Sequence, residues 1–269
     1  MNNSIDFTAA KSRYLPLLEE HFTKQFDRMT ESKLKEAMVY SFFSGGKRLR
    51  PLILCASAER FGVELKRVLP FAFAIECLHT QSLVHDDMPA LDDDKYRRGA
   101  LCCHVVYGQG TALLAGDALL NLAYSVCLES CKDKKGIKAL KYISEAMGID
   151  GLLGGQALEL TLQGVDDKQN IKVYKQKTAA LFRACFIVPL ILADCDQSLI
   201  EKFEVFAEEF GILFQLTDDY LDTLVDALKA ETIKQQVQAS RTKCLYLCEQ
   251  LGGWNFAKTL IDYVAVRKV

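Results

Sequence analysis

Residues 68–94 read VLPFAFAIECLHTQSLVHDDMPALDDD, an apolar run that ends in acid. Residues 68–84 are apolar on nearly every face, and such a helix is buried all round, so this stretch predicts a central core helix. Five of the next residues, Asp86, Asp87, Asp92, Asp93 and Asp94, are aspartates. On an ideal helix Asp86 and Asp92 stand about 600° apart and share no face, so the chain must loop at Pro89 before both carboxylates point one way. The pattern recurs at residues 210–222, where Phe210, Ile212, Leu213, Phe214 and Leu216 precede Asp218, Asp219 and Asp222. There the four-residue step from Asp218 to Asp222 puts both carboxylates on one face without help.

The rest of the chain supplies more helices. Ile5, Tyr14, Leu15, Leu18, Phe22 and Phe26 have helical spacing over residues 5–28, with a kink or restart expected at Pro16. A second helix is predicted over 32–43, stopped by Gly45-Gly46, and Pro51 falls in the first turn of the next. Residues 111–128, 138–153, 170–192 and 199–221 are further helical stretches, joined by short links. The 16 Gly and 5 Pro among 269 residues are too few for the turns of an all-β sandwich. No linker, repeat or low-complexity segment divides residues 1–269, so an all-α single domain is predicted.

A net charge of -2 gives no electrostatic reason for a nucleic-acid partner. The ten Cys include no CxxC pair and sit mostly among apolar residues, as buried reduced thiols of a cytoplasmic protein do; metal binding at the four-residue pairs Cys127/Cys131 and Cys244/Cys248 is the alternative. The first six residues do not read as a signal peptide. No apolar run approaches the roughly 18 residues of a membrane span, so a soluble chain is expected.

Stacked carboxylates at the ends of apolar helices repel one another unless a cation intervenes, and oxygen-only ligands select a hard ion such as Mg²⁺. The plainer alternative for either cluster is a solvated acidic face. Mg²⁺ usually takes one or two carboxylates plus substrate phosphates, so two facing clusters predict a phosphorylated ligand between them. Matching cations are present: Lys47 and Arg50 lie a helical turn apart beside Gly45-Gly46, and Arg97-Arg98-Gly99 follows the first cluster. Each could also be a surface patch. The spacing GxxxxGK[ST] is absent, which argues against a P-loop ATPase.

Taken in order, residues 45–51 (GGKRLRP), His79, residues 86–94 with Arg97-Arg98-Gly99, Lys177-Thr178 and residues 214–222 (FQLTDDYLD) resemble the trans-polyprenyl diphosphate synthases, and most of all the short-chain farnesyl diphosphate synthase type. The resemblance implies an isoprenoid-synthase-type helical bundle around a central cavity, a homodimer, and the joining of an allylic diphosphate (dimethylallyl or geranyl) to isopentenyl diphosphate. It implies that Asp86, Asp92 and Asp218 bind three Mg²⁺ ions with Asp87 and Asp222 in support, and that Lys177 joins these aspartates in the catalytic set. It assigns Lys47, Arg50, His79 and Arg98 to isopentenyl diphosphate, and Arg97, Lys177, Thr178 and Gln215 to the allylic diphosphate. A lone histidine in an apolar helix is more often a core residue, but His79 stands two turns before Asp86 on nearly the same face. Cys102-Cys103-His104 looks like a zinc fragment, yet the family pattern carries a His there without metal.

Product length is expected to depend on what floors the cavity. Where relatives that make the fifteen-carbon product carry an aromatic residue, this chain has Gln81 beside Ser82, which leaves a twenty-carbon product open. One departure is larger. After Asp222 the family continues through a mobile, lysine-bearing lid, whereas here Thr223 follows at once, so roughly two dozen residues are missing between 222 and 223, a length typical of a lid. Either that segment is omitted from the sequence or it is deleted. A terpene cyclase on the same fold is the first alternative function, opposed by the two pairs of cations. A non-catalytic partner subunit is the second, opposed by two intact aspartate clusters.

Overall fold

The computed structural model describes residues 5–161, 167–223 and 226–266. Helix α1 (Phe7–Asp27) starts where the Asp6 carboxylate accepts from the Ala9 N–H, and it buries Phe7, Tyr14, Leu18 and Phe22 on one stripe. No restart occurs at Pro16; it is exposed and the helix runs on through it. Helix α2 (Lys33–Phe43) is capped by Ser32. Helix α3 (Leu49–Arg60) follows the loop at Gly45-Gly46, and both glycines take positive φ.

Helix α4 (Leu65–Asp86) is the predicted core helix, with Phe71, Ala72, Phe73, Ala74, Ile75, Cys77 and Leu78 all buried. It ends at the first aspartate cluster. A two-stranded hairpin, β1 (Tyr96–Arg97) with β2 (Ala100–Leu101), presents the arginines that follow that cluster. Short α5 (Cys103–Tyr107) leads into α6 (Gln109–Ser130), which packs along α4.

The predicted helix over 138–153 is instead two helices, α7 (Lys134–Met147) and α8 (Leu152–Thr161). The break falls at Gly148-Ile149-Asp150-Gly151, where a Cβ on Gly151 would lie 2.1 Å from the Ala146 carbonyl oxygen. The stretch predicted over 170–192 is observed as α9 (Asp167–Val173), a π-helical turn (Tyr174–Thr178) and α10 (Ala179–Ala193). Helix α10 is almost wholly buried and packs on α3, α7 and α11 (Gln197–Asp222). Helices α12 (Ala227–Gln250) and α13 (Asn255–Ala265) close the bundle, with Trp254 buried between them.

Edge-on and tilted aromatic contacts knit the core in two groups: Phe22, Phe26, Phe42 and Phe73, and Phe182, Phe186, Phe206 and Phe210. Two helices, Gln109–Ser130 and Asn170–Ala193, are long and apolar enough to cross a membrane. No continuous apolar run marks them, because Asp117 and Asn121 interrupt the first and Lys177 and Arg183 the second. Asn170–Ala193 is mostly buried in the core, as a core helix of this composition is.

At the proposed gap, Asp222 runs directly into Thr223, whose N–H reaches the Asp219 carbonyl at 3.0 Å and ends α11. Residues 224–225 lie outside the described residues, and Asp226 caps α12.

Candidate active site

The ends of α4 and α11 open on a cavity of about 770 Å³. At the first cluster α4 stops at Asp86, and the following loop folds back so that the Asp92 N–H donates to the Asp86 carbonyl at 2.9 Å and the Asp93 N–H to the Met88 carbonyl at 3.1 Å. Asp93 takes a left-handed conformation to close this loop. The fold-back that the six-residue spacing demanded brings Asp86 and Asp92 to one wall. Asp218 and Asp222 line the same cavity from α11.

Of the residues predicted for the site, Lys47, Arg50, His79, Asp86, Asp92, Arg97, Arg98, Lys177, Thr178, Gln215, Asp218 and Asp222 line this cavity. Asp87 does not. It is buried behind the wall, where Arg97 Nε donates to its carboxylate at 2.8 Å, and it orients that guanidinium. Among the described residues no three His, Cys, Asp or Glu groups gather into a cage for a metal ion. The carboxylates are instead spread over two walls, an arrangement that leaves part of a Mg²⁺ shell to phosphate oxygens and water. The donor set is oxygen only, and burial, aided by the charge of Asp92 and opposed by Lys177, pushes Asp86 up to about 6. Burial likewise raises Asp92. A hard divalent cation fits this strained acidic wall.

Cations line the same cavity. Arg50 is half-buried with its guanidinium 4.3 Å from the centre of the Phe182 ring, and desolvation lowers its pKa. Arg98 donates to the Gly45 carbonyl at 2.6 Å and to His79 Nε2 at 3.3 Å. Arg98 has no acceptor atoms, so Nε2 of His79 is the acceptor and the ring is neutral with its proton on Nδ1. Burial, then the charges of Arg50 and Arg98, holds His79 well below its ordinary value. Gly46 takes φ of +124°, and a Cβ there would lie 2.5 Å from Arg98 Nη1. The paired glycines thus let the Lys47 loop turn and let Arg98 lie against it.

Sequence reasoning missed three residues. Arg48, between the two predicted cations, turns away from them into a buried ion pair with Glu76 at 2.8 Å and a half-exposed one with Glu19 at 2.9 Å. It also stacks 4.9 Å from the Phe42 ring, and it holds a left-handed conformation at the start of α3. Glu159 on α8 reaches Lys177 Nζ at 2.5 Å, while Asp86 lies 3.8 Å from the same ammonium. The signal for Glu76 was present: a lone acid in an apolar helix, one turn before His79. Ser82 lines the cavity, but Gln81 turns toward His85 at 3.0 Å. In the zinc-like fragment, His104 Nε2 bonds to the Asp94 carbonyl at 2.8 Å, and Cys103 points to the Ala37 carbonyl.

A helical bundle whose cavity gathers oxygen ligands for a hard cation together with a set of side-chain cations is the architecture of a prenyltransferase. The family model for polyprenyl synthetase matches residues 31–241, and the chain belongs to that family. It is 41% identical to a dimethylallyltranstransferase of Fischerella ambigua, over 71% of this chain and 57% of that protein's length. It is 37% identical to the farnesyl diphosphate synthase of Escherichia coli, over 84% of this chain and 79% of its relative. Geranylgeranyl diphosphate synthases also stand among the relatives. A solved apo structure of a Zymomonas mobilis FPP/GFPP synthase superposes with a TM-score of 0.87 at 29% identity, covering 97% of this chain and 99% of that one.

Proposed function

We propose that the protein condenses dimethylallyl or geranyl diphosphate with isopentenyl diphosphate to give farnesyl diphosphate. The observation that carries this reading is that one cavity is lined both by Asp86, Asp92, Asp218 and Asp222 and by enough positive side chains for two diphosphates. Mg²⁺ held at Asp86, Asp92, Asp218 and Asp222 would supply charge neutralisation of the departing pyrophosphate. Arg97 and Lys177 face the same leaving group and share its charge, so that the allylic C–O bond ionises. Lys47, Arg50 and Arg98 hold isopentenyl diphosphate, and neutral His79 offers its Nδ1–H while accepting from Arg98. The double bond of isopentenyl diphosphate attacks the allylic carbon, and its proton leaves with the released pyrophosphate.

The fifteen-carbon product is favoured by the farnesyl diphosphate synthases among the relatives; a twenty-carbon product is the second reading, favoured by the absence of an aromatic ring at Gln81. The missing lid is also part of this proposal. The match to the farnesyl diphosphate synthase of Micrococcus luteus spans 284 positions, more than this chain has residues, so part of it lies opposite a gap. We further propose a cytoplasmic homodimer joined through α6, whose Leu113, Leu114 and Leu128 are exposed beside Val105 and Val106 of α5. Leu114→Arg is expected to halve the mass measured by sedimentation. Incubation with Mg²⁺, labelled isopentenyl diphosphate and each allylic primer, followed by sizing of the products, tests the activity.

A further inference from the structure

Three hydrogen bonds join Tyr174, Thr178, Gln215 and Asp219 into a square at the edge of the cavity whose fourth side is the π-helical turn, and the family resemblance gives Tyr174 and Asp219 no role. Tyr174 and Thr178 stand four residues apart at the ends of the π-helical turn, and Gln215 and Asp219 stand four apart on α11. The rungs cross between antiparallel helices. Thr178 Oγ1 donates to Gln215 Oε1 at 2.7 Å, and the Tyr174 hydroxyl donates to the Asp219 carboxylate. Gln215 Nε2 then links the two rungs by donating to the other Asp219 oxygen at 2.9 Å. The helices meet closely here: a Cβ on Gly211, one turn before Gln215, would lie 2.4 Å from Ala179 Cα. That approach lets a side chain as short as threonine span the gap.

Thr178 and Gln215 line the cavity, whereas Tyr174 and Asp219 are not among the lining residues. A glutamine amide has two ends of the same shape and opposite polarity, so its orientation must be set by neighbours. An ionised carboxylate only accepts, so Asp219 draws the NH₂ end to itself and leaves Oε1 to Thr178. The Tyr174 hydroxyl occupies the second carboxylate oxygen and keeps Asp219 turned toward the π-helical turn, away from Asp218 and Asp222. π-Turns within α-helices are frequent at functional sites, and this one sets the register of both cross-helix rungs.

We infer that Asp219 and Tyr174 are positioning residues for the allylic half of the site. Asp219 fixes the orientation of the Gln215 amide, and through it Thr178, instead of holding cations with its neighbours. The functional part of this inference rests on the activity proposed above; the square itself does not. The test compares Asp219→Asn, Tyr174→Phe, their double variant and Asp218→Asn.

Calorimetric binding of pyrophosphate with Mg²⁺ is expected to stay within twofold of the parent for Asp219→Asn and Tyr174→Phe, and to be lost in Asp218→Asn. In turnover, Asp219→Asn is expected to lower kcat tenfold or more, Tyr174→Phe to lower it less, and neither to move KM for isopentenyl diphosphate. The double variant should be no slower than Asp219→Asn. Loss of pyrophosphate binding in Asp219→Asn equal to that in Asp218→Asn would make it a metal ligand and overturn the inference, as would multiplicative kcat losses. Melting temperatures of the same proteins without metal separate this from the activity itself. A double variant that melts with Asp219→Asn supports the square even where nothing turns over, and additive losses overturn it.

Discussion

Asp86 is held in its least comfortable state by the metal-free fold, and removing its charge is expected to stabilise the protein while destroying the site. Its carboxylate is buried at the end of α4, and the ammonium of Lys177, 3.8 Å away, sits closer to Glu159. Burial therefore prevails, and the pKa moves from 3.8 to about 6. A rise of about two units corresponds to about 3 kcal/mol of preference for the protonated form. The sign follows from proton linkage: between about pH 4 and 6 the native state binds more protons than the unfolded chain, so stability falls as pH rises. The penalty is complete above pH 6 and absent below about pH 4. Asp86→Asn has no charge to bury, and after allowing for the ion pair taken from Lys177 it should be more stable by about 1–3 kcal/mol at pH 7.5. Urea unfolding in EDTA at pH 7.5, 6.0 and 5.0 measures this, and the advantage should shrink at each step down. Adding Mg²⁺ with pyrophosphate should then stabilise the parent and leave the variant unmoved. A variant less stable than the parent at pH 7.5, or an advantage that ignores pH, would refute the reasoning.

Gly46→Ala forces both a positive φ and a collision with Arg98, so steady-state kinetics should show KM for isopentenyl diphosphate rising tenfold or more with the allylic KM little changed. Glu76→Gln removes the charge paired with buried Arg48; chemical denaturation should show a loss of about 3–5 kcal/mol, less whatever Glu19 restores. His79 lies well below its ordinary pKa through burial and neighbouring arginines, so ¹⁵N NMR should report a neutral ring protonated on Nδ1 from pH 7.5 down to 5.5, with no titration near 6.5.

Much of this arrangement was legible in the chain because its signals are local. A helix apolar on all faces has to be central, and paired carboxylates at its end have few stable environments. Even the fold-back at Pro89 followed from counting degrees along a helix. What escaped was set by partners distant in sequence. Asp87 reads as one more acid of its cluster, and only the hairpin that returns Arg97 to it shows that it orients a guanidinium. Arg48 shares its motif with Lys47 and Arg50, yet a left-handed backbone and the distant Glu76 turn it into the core. The π-helical turn at Tyr174–Thr178 leaves no mark in apolar spacing, because the helix that follows it, Ala179–Ala193, is buried on nearly every face and shows no polar stripe to shift. The break at residues 148–151 falls inside a stretch that apolar spacing carries as one helix, although Gly148 and Gly151 mark it.

The decisive measurement is incubation of the purified protein with Mg²⁺, labelled isopentenyl diphosphate and either dimethylallyl or geranyl diphosphate, with the products sized after dephosphorylation. Label in a fifteen-carbon alcohol, abolished by EDTA and by Asp218→Asn, is the predicted result. No label in any longer chain from either primer, with Mg²⁺ present, would contradict it.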